Sequence, residues 1–334
     1  MPHQVFRVPT PQQRFSEREP APAAVERRGG GSSGEILAGF LAPHPPHLVY
    51  AENPPANEPR SEGGWEVLRW AYQDIRRKIR EELRPDVIVI HAPHWITMIG
   101  HHVNCVPNPR GFSVEPIFPD LLRFHYDFKT DVPLAEAVYE EAVSEGLVAR
   151  RMDHPGVRID YATIGSLYLL NPEGDIPVVS LSCNNNPYFY THEGLDDMER
   201  LGTATRRAIE RSGKRVILAA SNSLSHIHFD ETPNPPEDMS KEHPMTFDAY
   251  RWDIRMLELL RRGRTREVRE LIPEYIEATA AEIKGGALSW MLSAMEWPEI
   301  PARVLGYQTV IGTGNAVAEW PLVGNGNGSA YLGG

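Results

Sequence analysis

A chain of 334 residues with 41% hydrophobic and 24% charged residues can bury a large core and has the composition of an ordinary globular protein. Its formal charge of −11 argues against nucleic acid and anionic membrane surfaces as partners, because phosphate binding needs a basic patch and the Arg clusters here are interleaved with acids. Cys105 and Cys183 show no metal-type spacing, and no apolar run reaches the roughly 18 residues of a membrane span, so a cytoplasmic protein is expected.

Residues 1–34 are rich in Pro, Arg, Glu, Gly and Ser without helical or strand periodicity, and are expected to form a disordered leader. "EILAGFLA" then reads as a strand. "WEVLRWAYQDIRRKIREEL" reads as a helix with Leu68, Tyr72, Ile75, Ile79 and Leu83 on one face. "DVIVIHA" is a continuous apolar run, the signature of a strand buried on both faces. The helix "LAEAVYEEAVSEG" closes at Gly146. The alternation continues with the strand "IPVVSLS", the helix "LDDMERLGTATRRAIERSG" and the strand "RVILAAS". Mainly helices should follow: "TFDAYRWDIRMLELLRRG", "TREVREL", "PEYIEATAAEIK" opened by Pro273, and "ALSWMLSAM" after Gly285 and Gly286. Residues 323–334 should form a flexible tail.

Strands alternating with helices predict an α/β fold over residues 35–322, a single three-layer domain whose largely parallel central sheet is covered by helices on both faces. Such sheets gather their sites beyond the C-terminal ends of the strands. At those ends the sequence places His44 and His47 in "PHPPH", His91 and His94 in "HAPHW", "CNNNPY", and His226 and His228 in "SLSHIH". Any one of the 13 histidines is more often structural than a ligand. Imidazoles gathered at several strand ends are harder to read that way. Two imidazoles and one carboxylate hold a divalent metal on one face and leave the opposite positions open, which suits non-haem iron and oxygen; zinc hydrolysis can use the same ligand types. An H-E-x-x-H pair and a Gly-rich phosphate loop are both missing from the sequence.

"GFLAPHPPHLVYAENP", "PDVIVIHAPHWIT", "ASNSLSHIHF", "PEDMSKEHP" and "GTGNAVAEW" together resemble the class III extradiol ring-cleaving dioxygenases, the protocatechuate 4,5-dioxygenase-like family, from about Glu35 to about Trp320. The resemblance implies iron(II) held by His44, His94 and Glu282, the last on a late helix in "AAEIKGGALSW". Glu277, an earlier acid in the same stretch, is the competitor. It implies His226 as the acid/base group, a role suited to imidazole. Where the protocatechuate branch has "DHG", this chain has "IDYATI", so the resemblance to the aminophenol-cleaving branch implies Tyr161 at the ring, a core tyrosine with a satisfied hydroxyl being the alternative. His47, His91 and His228 are then expected to be structural or to orient the ligands through hydrogen bonds.

The implied reaction is extradiol-type cleavage of a 2-aminophenol-class aromatic by dioxygen, giving a 2-aminomuconate semialdehyde-type product. A catechol or protocatechuate-type substrate is the alternative. From other classes, a non-catalytic partner subunit and a zinc hydrolase are the rivals. The implied assembly is a heterotetramer with a homologous non-catalytic subunit, or a homo-oligomer. The prolines of "PHPPH" restrict His44 to extended geometry before any metal binds.

Overall fold

The run "DVIVIHA" becomes strand β2, Val87–Thr97, whose first seven residues are all buried. It does so in a computed structural model that describes residues 33–52, 65–116, 119, 122–184, 193–228 and 242–322. The expected leader up to residue 32, the tail from residue 323 and "CNNNPY" beyond Asn184 lie outside the described residues, whereas Ser33 and Gly34, expected in the leader, belong to the fold, Gly34 buried with its N–H donating to Glu210 O.

Among the described residues, β2 shares one eight-stranded sheet with β1 (Glu35–Leu41), β3 (His101–Asn104), β6 (Ala149–Met152), β7 (Val178–Asn184), β8 (Arg215–Ala220), β9 (Arg303–Val310) and β10 (Thr313–Pro321). The order is β6-β3-β7-β2-β8-β1-β10-β9. The central pairs β7/β2, β2/β8 and β8/β1 are parallel. The β1/β10 and β10/β9 pairs are antiparallel. A separate two-stranded ribbon joins β4 (Arg110–Val114) and β5 (Arg123–Asp127).

The period of two explains the continuous apolar runs. Val87 and Val89 of β2 enter the core on one face of the sheet, with Val216 and Leu218 of β8. Ile88 and Ile90 enter the other, with Ile217 and Ala219. The first face is covered by helices α3 (Val132–Ser144), α5 (Glu193–Ser212) and α8 (Gly286–Ala294), which contribute Leu134, Leu201 and Trp290. The second is covered by α2 (Glu66–Lys78) and α4 (Tyr161–Leu170), through Leu68, Tyr72, Ile75 and Leu169. Burying one such Val, Ile or Leu contributes about 1.5–3 kcal/mol. Truncating the fully buried Trp290 to Ala should cost about 3–5 kcal/mol.

Two expectations need correction. Helices do not simply follow β8, because residues 303–321 fold back as the hairpin β9–β10. Half-exposed β9 at the sheet edge dilutes its apolar residues with Gly306, Gln308 and Thr309, which hides the strand. Nor does Pro273 open a new helix. α7 runs unbroken from Thr265 to Thr279 after α6 (Phe247–Arg261), since Pro273 and the carbonyl it leaves unpaired on Arg269 are both at exposed residues, where water replaces the lost bond. Among the described residues no helix is long and apolar enough to cross a membrane.

Candidate metal centre

His44, His94 and Glu282 come together at the C-terminal side of the sheet, His44 just after β1 and His94 in the last part of β2, each brought there by a local device. His44 follows β1, where Ala42 N donates to Ala220 O of β8, and precedes the short helix α1 (Pro46–Glu52). Pro46 is the first residue of that helix, where its fixed φ suits the turn and its missing N–H costs nothing. The buried Tyr72 hydroxyl donates to the Pro43 carbonyl and ties the turn to α2. His94 owes its aim to an irregularity: the pairing of β2 with β7 shifts register between His91 and Ile96, around Pro93.

Glu282 is not on an α-helix but opens a one-turn 3₁₀ segment distorted at Ile283 and Lys284. α7 ends at Thr279, Ala280 turns left-handed, and Glu282 opens a tight turn in which Ile283 and Lys284 hold φ of 42° and 52°. Left-handed backbone at a β-branched residue is strained, and strain of this kind concentrates at functional sites. Glu277 is exposed on α7 and outside the cluster.

One ligand atom from each of His44, His94 and Glu282 lies within 4.8 Å of the others. Glu282 Oε2 accepts a hydrogen bond from Ser223 N at 2.6 Å. Its partner Oε1 is buried, meets no donor at hydrogen-bond geometry, and faces His94 Nε2 at 3.2 Å and His44 Nε2 at 3.7 Å. A buried carboxylate oxygen without a donor is costly, and a cation bound between it and the two imidazoles would compensate it. On the far side of His44, Nδ1 lies 2.8 Å from Ser221 Oγ, which in turn lies 2.7 Å from Ser166 Oγ. That contact engages Nδ1 and leaves Nε2 to face Glu282.

The charges agree with a ligand set. Burial pushes the His44 pKa down to about 3 against the pull of Glu282, so His44 is neutral and free to coordinate. Burial opposes ionisation of Glu282, but His226, His44 and His94 outweigh it and hold the carboxyl well below its usual range. For His94 burial is likewise outweighed, by Glu282, and its pKa rises. The donor set, two imidazole nitrogens and one carboxylate on one side, fits a divalent transition metal.

Tyr161 opens α4, whose Asp160 cap accepts from Thr163 N, and its hydroxyl lies 2.7 Å from His94 Nε2. Burial, helped by Glu282, Glu115 and Asp160, raises its pKa far above the ordinary phenol value, so it stays a neutral donor. His226 Nε2 lies 3.9 Å from Glu282 Oε1 and is not part of the three-residue group. His228 Nε2 lies 3.0 Å from His226 Nε2, so it adjoins the acid/base candidate rather than a ligand. His91 is fully buried against Trp290, and His47 against Trp65. Ser221 and the Ser223 amide make orienting contacts on the ligands that the histidines of the sequence did not suggest. Both lie in "ASNSLSH", where alternating serines directly after a strand were the available signal; Ser166, inside an apolar helix, carried none.

Residues 38–318 match the family described as the catalytic LigB subunit of aromatic ring-opening dioxygenase. The chain is 58% identical over 293 residues, 87% of its own length and 96% of the relative's, to the 2-aminophenol 1,6-dioxygenase beta subunit of a Pseudomonas species. It is 28% identical over 264 residues, 77% of the chain and 92% of the relative, to a Pseudomonas 2-aminophenol 1,6-dioxygenase alpha subunit. Among solved structures, an uncharacterized protein of Escherichia coli K12 superposes with a TM-score of 0.55 at 15% identity, covering 85% of this chain and 99% of that one, a likeness of fold.

Proposed function

The chain belongs to the LigB family of aromatic ring-opening dioxygenases, and on that basis we propose that it is an iron(II) enzyme that opens the ring of a 2-aminophenol-class aromatic. Both atoms of dioxygen would enter a 2-aminomuconate semialdehyde-type product. The observation that carries the reading is the buried, donor-free Glu282 Oε1 facing two imidazole nitrogens. The substrate class rests on the 58% identity with the 2-aminophenol 1,6-dioxygenase beta subunit.

Iron held by His44, His94 and Glu282 would supply a centre where the aromatic and dioxygen meet on the open side of a facial triad. The chain's own residues do the rest. Ser221 and Ser166 hold the His44 ring so that Nε2 faces inward. His226 Nε2 accepts a proton from the ring hydroxyl and returns it as the bond between the oxygens breaks. The Tyr161 hydroxyl, kept protonated, donates a hydrogen bond to the oxygen or to the substrate heteroatom. The catalytic domain is residues 35–322. The enzyme works in the cytoplasm, in keeping with its two unpaired, buried cysteines. Its assembly is a heterotetramer with a homologous non-catalytic subunit, or a homo-oligomer, supported by the relatives named as beta and alpha subunits.

Anaerobic purification, metal analysis and oxygen uptake with a panel of aminophenols and catechols test the reading. The expected result is iron and one dioxygen consumed per 2-aminophenol opened. Zinc without oxygen uptake, or turnover of catechols alone, would overturn it.

A further inference from the structure

The loop that leaves β8 touches two of the three residues of the centre and carries His226. Ser221 Oγ meets His44 Nδ1, Ser223 N donates to Glu282 Oε2, and the loop ends in His226. Its own anchor is Ser225, the residue immediately before His226. Ser225 N donates to Asp253 Oδ1 at 3.0 Å, and Ser225 Oγ donates to Asp253 Oδ2 at 2.7 Å. Asp253 projects from α6 and is fully buried. Each oxygen takes one more donor: Tyr275 of α7 on Oδ1 at 2.5 Å and Tyr307 of β9 on Oδ2 at 2.7 Å.

The geometry points to Asp253 as a positioning residue that holds His226 at its working place through Ser225. Both hydrogen-bonding groups of Ser225 that face Asp253 are taken by its two oxygens, so the backbone leading into His226 has little freedom left. His226 N then donates to Thr279 O at 3.0 Å, at the end of the same helix that supplies Tyr275. The third side is closed by backbone: a Cβ on Gly314 would come within 1.8 Å of Asp253 Oδ2 and 2.8 Å of Ser225 Oγ. Gly314 N in turn donates to Ser225 O at 2.9 Å and lies 3.1 Å from Ser225 Oγ. The "GTGN" segment thus acquires a reason for its second glycine. Burying a carboxylate in a core is expensive, and apolar residues would pack α6 against β9 at less cost. What they could not do is grip one loop residue by two directional, charge-assisted bonds.

This inference rests on the reading of His226 as the acid/base group, and its test separates the two. Asp253→Asn keeps the side-chain shape and turns one acceptor into a donor. In the metal-free full chain with isotope-labelled histidine, the His226 ring signals, identified by their loss in His226→Ala, should shift or broaden in Asp253→Asn while those of His91 and His101 stay. In the iron-loaded enzyme, turnover should fall on the order of tenfold to 10²-fold, the scale of a small misplacement of a catalytic group. Iron content and KM should hold, KM within about threefold. On the His226→Ala background Asp253→Asn should cost almost nothing more.

Unmoved His226 signals, lost iron, or a loss that adds in full to that of His226→Ala would each overturn the inference. If His226→Ala alone leaves turnover intact, the acid/base reading fails, and the ring signals still decide whether Asp253 places His226. Should Asp253→Asn not fold, Tyr307→Phe keeps the carboxylate and removes one donor, and the same pattern should appear in smaller measure.

Discussion

Ser221 Oγ lies 2.8 Å from His44 Nδ1, and this one contact decides which nitrogen of His44 faces Glu282. Ser221→Ala should therefore fold normally yet bind iron about 10–100-fold more weakly, the usual consequence of removing a partner that orients a ligand. Iron affinity by competition with a chelator checks it. Unchanged affinity would mean that packing against Gly165 and Tyr161 alone orients the ring.

Replacing His44, His94 or Glu282 by Ala should abolish tight iron binding, because only two protein ligands would remain. Metal content after desalting is the measurement. Glu277→Ala, on the exposed face of α7, should keep its iron; the reverse pattern would move the carboxylate assignment to Glu277.

His226→Ala should keep near-stoichiometric iron, since its Nε2 lies outside the three-residue group. Ring opening should slow by about 10²-fold or more, the contribution typical of a placed acid/base group. Iron and product are to be measured on one preparation. Lost iron would make His226 a ligand, and full turnover would make it structural.

Acid should destabilise the metal-free protein well above the carboxylate range. Burial lowers the pKa of His47 and His91 to about 3 and of His101 to about 4. The folded values lie below the unfolded value of about 6.5, so between them the unfolded chain binds protons that the native chain does not. Their stabilising neutrality is complete above that pH and is lost progressively as the pH falls toward 4 for His101 and toward 3 for His47 and His91. Urea unfolding at stepped pH reads the slope, and His91→Gln should reduce it. A flat profile from neutral pH to pH 5 would show that these rings do not stay neutral.

Deleting residues 1–34 should change turnover per iron by less than about tenfold, roughly 1.4 kcal/mol of barrier, because every residue proposed for the site lies at His44 or beyond. A larger loss would mean that the leader completes the site.

The central strands were legible because a strand buried on both faces must be apolar along its buried length, as Val87–Ile90 and Val216–Ala220 are. That His44, His47, His91 and His94 stand at or near the ends of such strands follows from the same pattern; singling out His44 and His94 among them came from the family resemblance. Hairpin β9–β10 was not, since an edge strand exposed on part of its surface carries a mixed pattern. Glu282 was foreseen as a residue but not as a turn. Its left-handed neighbours Ile283 and Lys284 have no local preference for that conformation, and only the surrounding fold holds them there. The partners furthest from sequence were Ser166 and Asp253. Their hydrogen bonds join residues far apart in the chain, and no local rule of spacing reaches across such separations. The chain therefore determined by itself which side chains stand at the strand ends; tertiary packing alone decided which nitrogen, which oxygen and which backbone amide each of them meets.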